Sequence, residues 1–166
     1  MTFNGHVRPR TVVVRSADDV SELDKRIIEH LQADGRRPFT QIAAELGVSE
    51  AAVRARTNRL IERGILQIVG VTDPLKLGFH QMAMIGIRCE SDQVVTVAEQ
   101  IAEMSEVDYV VITAGTYDLL IETVCEDNEA LLRFLTEKLR ALGGVRETET
   151  FVYLRMVKQT YQWGTR

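Results

Sequence analysis

Cysteine is scarce in this chain: Cys89 and Cys125 are the only two among 166 residues. They form no CxxC pair and no metal-ligand spacing, which excludes a zinc ribbon and a disulfide scaffold. In a reducing cytosol both are expected as buried thiols. No apolar run approaches the roughly 18 residues that a bilayer-spanning helix needs. The Val12-Val13-Val14 run is too short for a signal-peptide core, and no small-residue cleavage site follows it. A cytoplasmic protein without a membrane partner is the expectation. No cofactor motif and no metal site is legible.

What is present fits a globular protein: 45% hydrophobic and 27% charged residues. The net charge of −4 would repel a polyanion, but its distribution is uneven. Residues 1–76 carry twelve Lys/Arg against ten Asp/Glu, and the rest carry eight against fourteen. Between Arg36 and Arg63 six arginines face three glutamates. A basic first half on an acidic second half implies division of labour, with any polyanion meeting the first.

Residues 1–17 lack helical periodicity and read as a flexible basic arm, with a short strand at Thr11–Val14. Leu23, Ile27, Ile28 and Leu31 recur at helical spacing and predict a helix over about 20–33, capped by Asp19 or Ser21 and ended by Gly35. Pro38 suits the opening of a second helix with Ile42, Ala43 and Leu46 inward. Gly47 breaks it, and Ser49 is a good N-cap for a third helix reaching Arg63, with Val53, Thr57 and Leu60 inside. Ile65 to Thr72 alternates and predicts a strand, a wing beside the helices.

The domain so formed is expected over 18–72, followed by a linker at 73–80. Beyond it the predicted order is strand 82–89, helix 92–104, strands 107–114 and 119–125, helix 128–142 and a long strand 145–157. That is the ferredoxin-like βαββαβ order, expected over 81–158, with a tail at 159–166. The whole is an α+β protein. Both helices would cover one sheet face and leave the other bare and apolar, a partner surface for which a second copy is the simplest occupant.

Two helices joined by the short turn Gly47-Val48-Ser49 have helix-turn-helix spacing, and the second would enter the major groove of double-stranded DNA. Glu50, Ala51, Arg54 and Asn58 are placed to meet bases, since Arg matches guanine and Asn matches adenine through two hydrogen bonds. Ser49 caps the same helix, and Ala51 and Ala55 permit close approach. Arg36, Arg37, Arg56, Arg59 and Arg63 suit phosphates, though Arg56 or Arg59 equally suits a structural ion pair.

Several stretches then resemble one family, the leucine-responsive and asparagine regulators (Lrp/AsnC, or feast/famine regulators). Leu23-Asp24-Lys25-Arg26-Ile27-Ile28 with Leu31-Gln32-Ala33-Asp34-Gly35-Arg36 is similar to its opening helix. Ile42-Ala43, Leu46-Gly47-Val48-Ser49, Val53, Arg56, Arg59-Leu60 and Gly64-Ile65 resemble its helix-turn-helix. Gly115-Thr116-Tyr117-Asp118-Leu119-Leu120 resembles its Gly-x-Tyr-Asp turn. The match covers about Val20 to Lys158. Glu50, Thr57 and the longer termini depart from the pattern.

The resemblance implies a transcriptional regulator, dimeric through its C-terminal sheets and often octameric. It also implies a free amino acid as effector and genes of amino-acid metabolism as targets. With it, the 115–118 turn becomes the effector candidate. Asp118 would accept from the ammonium, and the amides of Gly115 and Thr116 would donate to the carboxylate. Tyr117 would close the site, and Thr148 and Thr150 are weaker candidates. Without it, the same residues are simply good turn formers.

Two other readings compete. Decarboxylases acting on sirohaem share a similar fold, but His6, His30 and His80 all lie outside the C-terminal domain and no acid/base pair is apparent, so no enzyme is expected. A ligand sensor that does not bind DNA rests on Glu50 alone, whose charge would repel phosphate.

Overall fold

The computed structural model describes residues 20–160 and residue 165. The expectations for the arm, including its Thr11–Val14 strand, and for most of the tail lie outside them. The described chain divides into two compact units, parted between Val71 and Thr72, with the described residues after Val157 grouped with the first.

The first unit is built from α1 (Glu22–Ala33), α2 (Phe39–Leu46) and α3 (Glu50–Glu62). Its start is a reciprocal cap. The Ser21 hydroxyl accepts from the Asp24 amide, and the Asp24 carboxylate accepts from the Ser21 amide at 3.1 Å. Ile27, Ile28, Leu31, Ile42, Ala43, Val53 and Leu60 bury one stripe of each helix in a common core. Gly47 leaves α2 with φ of 67°, the left-handed conformation that closes the turn. Two residues on, the Ser49 hydroxyl accepts from the Ala52 amide and starts α3. Buried Thr57 sits in this core with its hydroxyl unpaired.

The expected strand at Ile65–Thr72, and with it the wing, is absent from the described residues. Leu66 folds back into the core, and its amide bonds to Leu60 O at 3.2 Å. Ile68, Val69 and Val71 stay exposed. Alternation alone makes no strand: an extended segment also needs a neighbour to take its amides and carbonyls.

The second unit follows the predicted order. A 3-10 turn at Pro74–Leu77 leads into β1 (Gln81–Cys89), α4 (Val94–Ala102), β2 (Val107–Ile112), β3 (Leu119–Cys125), α5 (Asn128–Arg133) and β4 (Val145–Val152). The antiparallel sheet runs β2-β3-β1-β4. Ala83, Ile85, Ile87, Leu119 and Ile121 alternate inward from the two central strands. They meet Val97, Ala98 and Ile101 of α4 and Phe134 and Leu139 after α5.

Several ends differ from expectation. β4 stops at Val152 instead of Val157, because its partner β1 begins at Gln81 and the Tyr153 amide makes the last bond, to Met82 O. Beyond it Leu154 is 97% exposed. The second helix is not α-helical throughout: Phe134–Leu139 is a π-helical turn, and the chain leaves helix before Leu142. A π turn brings five-residue spacing, so the Arg140 amide reaches Leu135 O.

Candidate DNA interface and effector hairpin

The α3 surface separates its arginines into two groups. Asp24 projects from α1 with its side chain only 1% exposed. Arg56 Nη1 donates to its Oδ1 at 3.0 Å and Arg59 Nη2 to its Oδ2 at 3.0 Å, while Arg56 also reaches Ser21 Oγ at 3.1 Å. Burial works to raise the Asp24 pKa. The bonds from Ser21 and Arg56 outweigh it, and the Arg56 charge helps, holding the carboxyl below its ordinary value. A buried carboxylate needs such partners. Arg56 and Arg59 therefore tie α3 to α1 as structural ion pairs, while their side chains stay partly exposed. Sequence reasoning missed Asp24. Two signals pointed to it: the Ser-x-x-Asp spacing of a capping box, and a charge three and four residues before Ile27 and Ile28 on the apolar face.

The outer group is different. Ala51, Arg54, Ala55 and Asn58 are exposed on one side of α3. Arg54 Nη2 donates to Glu50 Oε1 at 2.5 Å, and its guanidinium lies 5.3 Å from the Phe39 ring centre. Arg37 bonds Glu45 and approaches His30 Nδ1 at 3.0 Å, so it is tied to its own unit. Arg36 is exposed; its amide closes a turn on Asp34 at 2.9 Å.

In the second unit the hairpin between β2 and β3 is bonded from within. The Asp118 amide donates to Ile87 O and the Thr113 amide to Asp118 O, each at 2.9 Å. Thr113 Oγ1 donates to Tyr117 O at 2.6 Å, and Arg88 Nε to Thr116 O at 3.0 Å. Asp118 Oδ2 accepts from the Cys89 amide at 2.8 Å, so half of this carboxylate is structural. Among the described residues, its Oδ1 and the amides of Gly115 and Thr116 have no partner.

The Tyr117 ring folds back over Gly86 on the sheet face that carries no helix. A Cβ at Gly86 would come within 2.6 Å of that ring. Phe151 meets the ring edge-on at 6.4 Å, and the Arg88 guanidinium lies 5.9 Å from its centre. Thr148 and Thr150 are not gathered with the hairpin. They pair with Ile87 and Ile85, whose side chains point to the helix-covered face, and Thr148 faces Arg140 Nε at 3.4 Å. Two cavities, of about 510 and 320 Å³, lie elsewhere; neither includes residues 115–118, and Thr148 lines the smaller. Burial pushes the thiols of Cys89 and Cys125 up, which leaves them poor nucleophiles.

Residues 20–61 match the AsnC-type helix-turn-helix domain, and residues 82–163 match the Lrp/AsnC ligand binding domain. An uncharacterised HTH-type transcriptional regulator of Pyrococcus furiosus is 38% identical over 87% of this chain and 96% of its own. The chain belongs to the Lrp/AsnC family. A further Lrp/AsnC-type relative, the regulator LrpA of Pyrococcus horikoshii, is 31% identical over 84% of this chain and 99% of its own. Such relatives are transcriptional regulators, not enzymes, which removes the decarboxylase reading. Among solved structures, E. coli AsnC superposes with a TM-score of 0.77 at 25% identity, over 84% of this chain and 95% of its own. A Neisseria meningitidis regulator solved with L-Met gives 0.77 at 22% identity, over 85% and 94%. The chain thus joins an Lrp/AsnC DNA-binding helix-turn-helix to a ligand-binding domain. No helix among its described residues is long and apolar enough to cross a membrane.

Proposed function

We propose that this regulator reads DNA in the cytoplasm through the outer face of α3 and is tuned by a free amino acid held at the 115–118 hairpin. The carrying observation is what each region leaves open. On α3, Arg54 and Asn58 stand exposed beside the small Ala51 and Ala55, so side chains able to pair with guanine and adenine can approach base edges. Arg36, exposed and in no ion pair among the described residues, suits a phosphate. At the hairpin, Asp118 Oδ1 offers an acceptor to an ammonium, and two unpaired amides offer donors to a carboxylate.

The Neisseria relative holds an amino acid on the same fold, which supports that ligand class. The hairpin lines neither of the two cavities described above, and walls for its ligand would come from further copies. The helix-free sheet face, with Tyr109 and Phe151 exposed, suits a second copy, so a homodimer assembling to an octamer is the proposed form. A dimer also sets two reading helices on one duplex. Genes of amino-acid metabolism are the proposed targets.

The test is a thermal-shift screen of the twenty amino acids on the full chain and on Asp118→Ala. A ligand bound only by the native state raises stability by RT ln(1 + [L]/Kd). One or a few amino acids should raise the melting temperature of the wild type, and Asp118→Ala should lose that shift while still melting cooperatively, at a lower temperature because the Cys89 amide loses its acceptor. Equal shifts in both proteins would remove Asp118 from the site.

A further inference from the structure

Arg54 is held from two sides, and the two holds come from the two helices of the reading motif. Glu50, one turn earlier on α3, takes one Nη2 hydrogen at 2.5 Å. Phe39, the first residue of α2 and packed against the core, presents its ring 5.3 Å from the guanidinium. A carboxylate and an aromatic face together fix both the direction and the plane of the fork. The guanidinium keeps its second Nη2 hydrogen, both Nη1 hydrogens and Nε–H, so four of its five donors remain for another partner. Glu50 itself stands at the forward end of α3, where its charge opposes any phosphate that draws near.

We propose that Glu50 is the selectivity residue of this helix-turn-helix, acting through Arg54. It holds the guanidinium in the plane that two guanine acceptors require. It also weakens the complexes in which Arg54 would turn to the backbone of an unrelated sequence. Glu50 is then not a defect in a DNA-binding surface. It lowers affinity for unrelated DNA more than for the right site and so widens the gap between them. This rests on α3 being the reading helix.

The test begins with duplexes that the wild-type protein selects from a randomised library, set against a scrambled duplex of equal length. Binding is measured at several salt concentrations for the wild type, Glu50→Ala, Glu50→Gln, Arg54→Ala and the double variant Glu50→Ala/Arg54→Ala. Glu50 and Arg54 are both surface positions, so each variant should melt close to the wild type. An exposed pair of this kind supports effects of about two- to five-fold. Glu50→Ala should strengthen binding to scrambled DNA by that factor and change binding to the selected duplex less, so that the ratio falls. Glu50→Gln keeps an acceptor but loses the charge, and should lose part of the ratio. In the Arg54→Ala background, removing Glu50 should leave base preference unaltered.

An unchanged ratio in Glu50→Ala overturns the proposal. So does a loss of preference just as large when Arg54 is already absent, since Glu50 would then touch DNA on its own account. A different result would sink the reading beneath it: an Arg54→Ala library profile identical to the wild type, whatever Glu50 does, means that α3 does not read bases through Arg54.

Discussion

The two ends of this chain treat their polar groups in opposite ways. In the helical unit, charges close on one another. Asp24 is buried under Arg56 and Arg59, Arg37 is taken by Glu45, and Arg54 is held by Glu50 and Phe39. In the hairpin of the sheet unit, a carboxylate oxygen and two neighbouring amides have no partner among the described residues. The difference fits what each is proposed to meet. A duplex is rigid and repeats its phosphates regularly, so a surface that matches it gains from being fixed beforehand. A small zwitterion brings both charges itself, and its site must keep one acceptor and some donors unfilled.

Breaking the buried lock should have the largest effect. Asp24→Ala removes the acceptor of two arginines and one arm of a cap, and should destabilise the helical unit by about 2–3 kcal/mol. Hydrogen exchange should show faster opening of α1 and α3, with β1 and β3 protected as before. The same lock predicts a pH response. The Asp24 carboxyl lies lower in the folded protein than in the unfolded chain, so its contribution is complete above the ordinary carboxylate value of about 4. It is lost as pH falls through the lowered value. Asp24→Asn should flatten this acid limb, and an acid limb identical to the wild type would show that Asp24 does not carry it.

Crowding the hairpin comes next. Gly86→Ala puts a methyl into the Tyr117 ring and should cost about 2 kcal/mol by overpacking. Adding Tyr117→Ala should restore part of that loss, because the clash has then gone. If the double variant is merely the sum of two losses, the close approach is not what destabilises it. The smallest effect tests the core of the helical unit. Thr57→Val replaces an unpaired buried hydroxyl by a methyl of like shape and should stabilise by about 1 kcal/mol, seen as a higher melting temperature. Destabilisation would mean that the hydroxyl has a partner after all.

The helices of the first unit were legible because their signals are local. Gly47 and Ser49 mark the turn whatever the rest of the chain does, and the inward positions Val53, Thr57 and Leu60 follow from period alone. The order of elements in the sheet unit was legible for the same reason. What escaped depends on partners remote in sequence. The end of β4 is fixed by where β1 begins, and Ile65–Thr72 alternates like a strand but has nothing to pair with. The π turn leaves the leucine spacing of a normal helix almost undisturbed. At the candidate site, the 115–118 turn was singled out by the family resemblance; by residue type alone it is only a good turn. The side of the sheet on which Thr148 and Thr150 lie needed the register with β1. Asp24 was visible only through its capping-box spacing from Ser21 and as a charge on the apolar face.

Gly86 and Gly115 sit at opposite ends of the hairpin's freedom. At Gly86 the strand has a notch one carbon deep that Tyr117 fills, while at Gly115 a new side chain would meet nothing within 4 Å. The length of the 113–118 connection is therefore pinned: one inserted residue would carry the ring past its notch. The composition of its tip is not. If the hairpin holds the effector as proposed, a sensor with altered ligand preference is best sought by exchanging residues 115 and 116 in place, with Tyr117 kept as the fixed hinge pin.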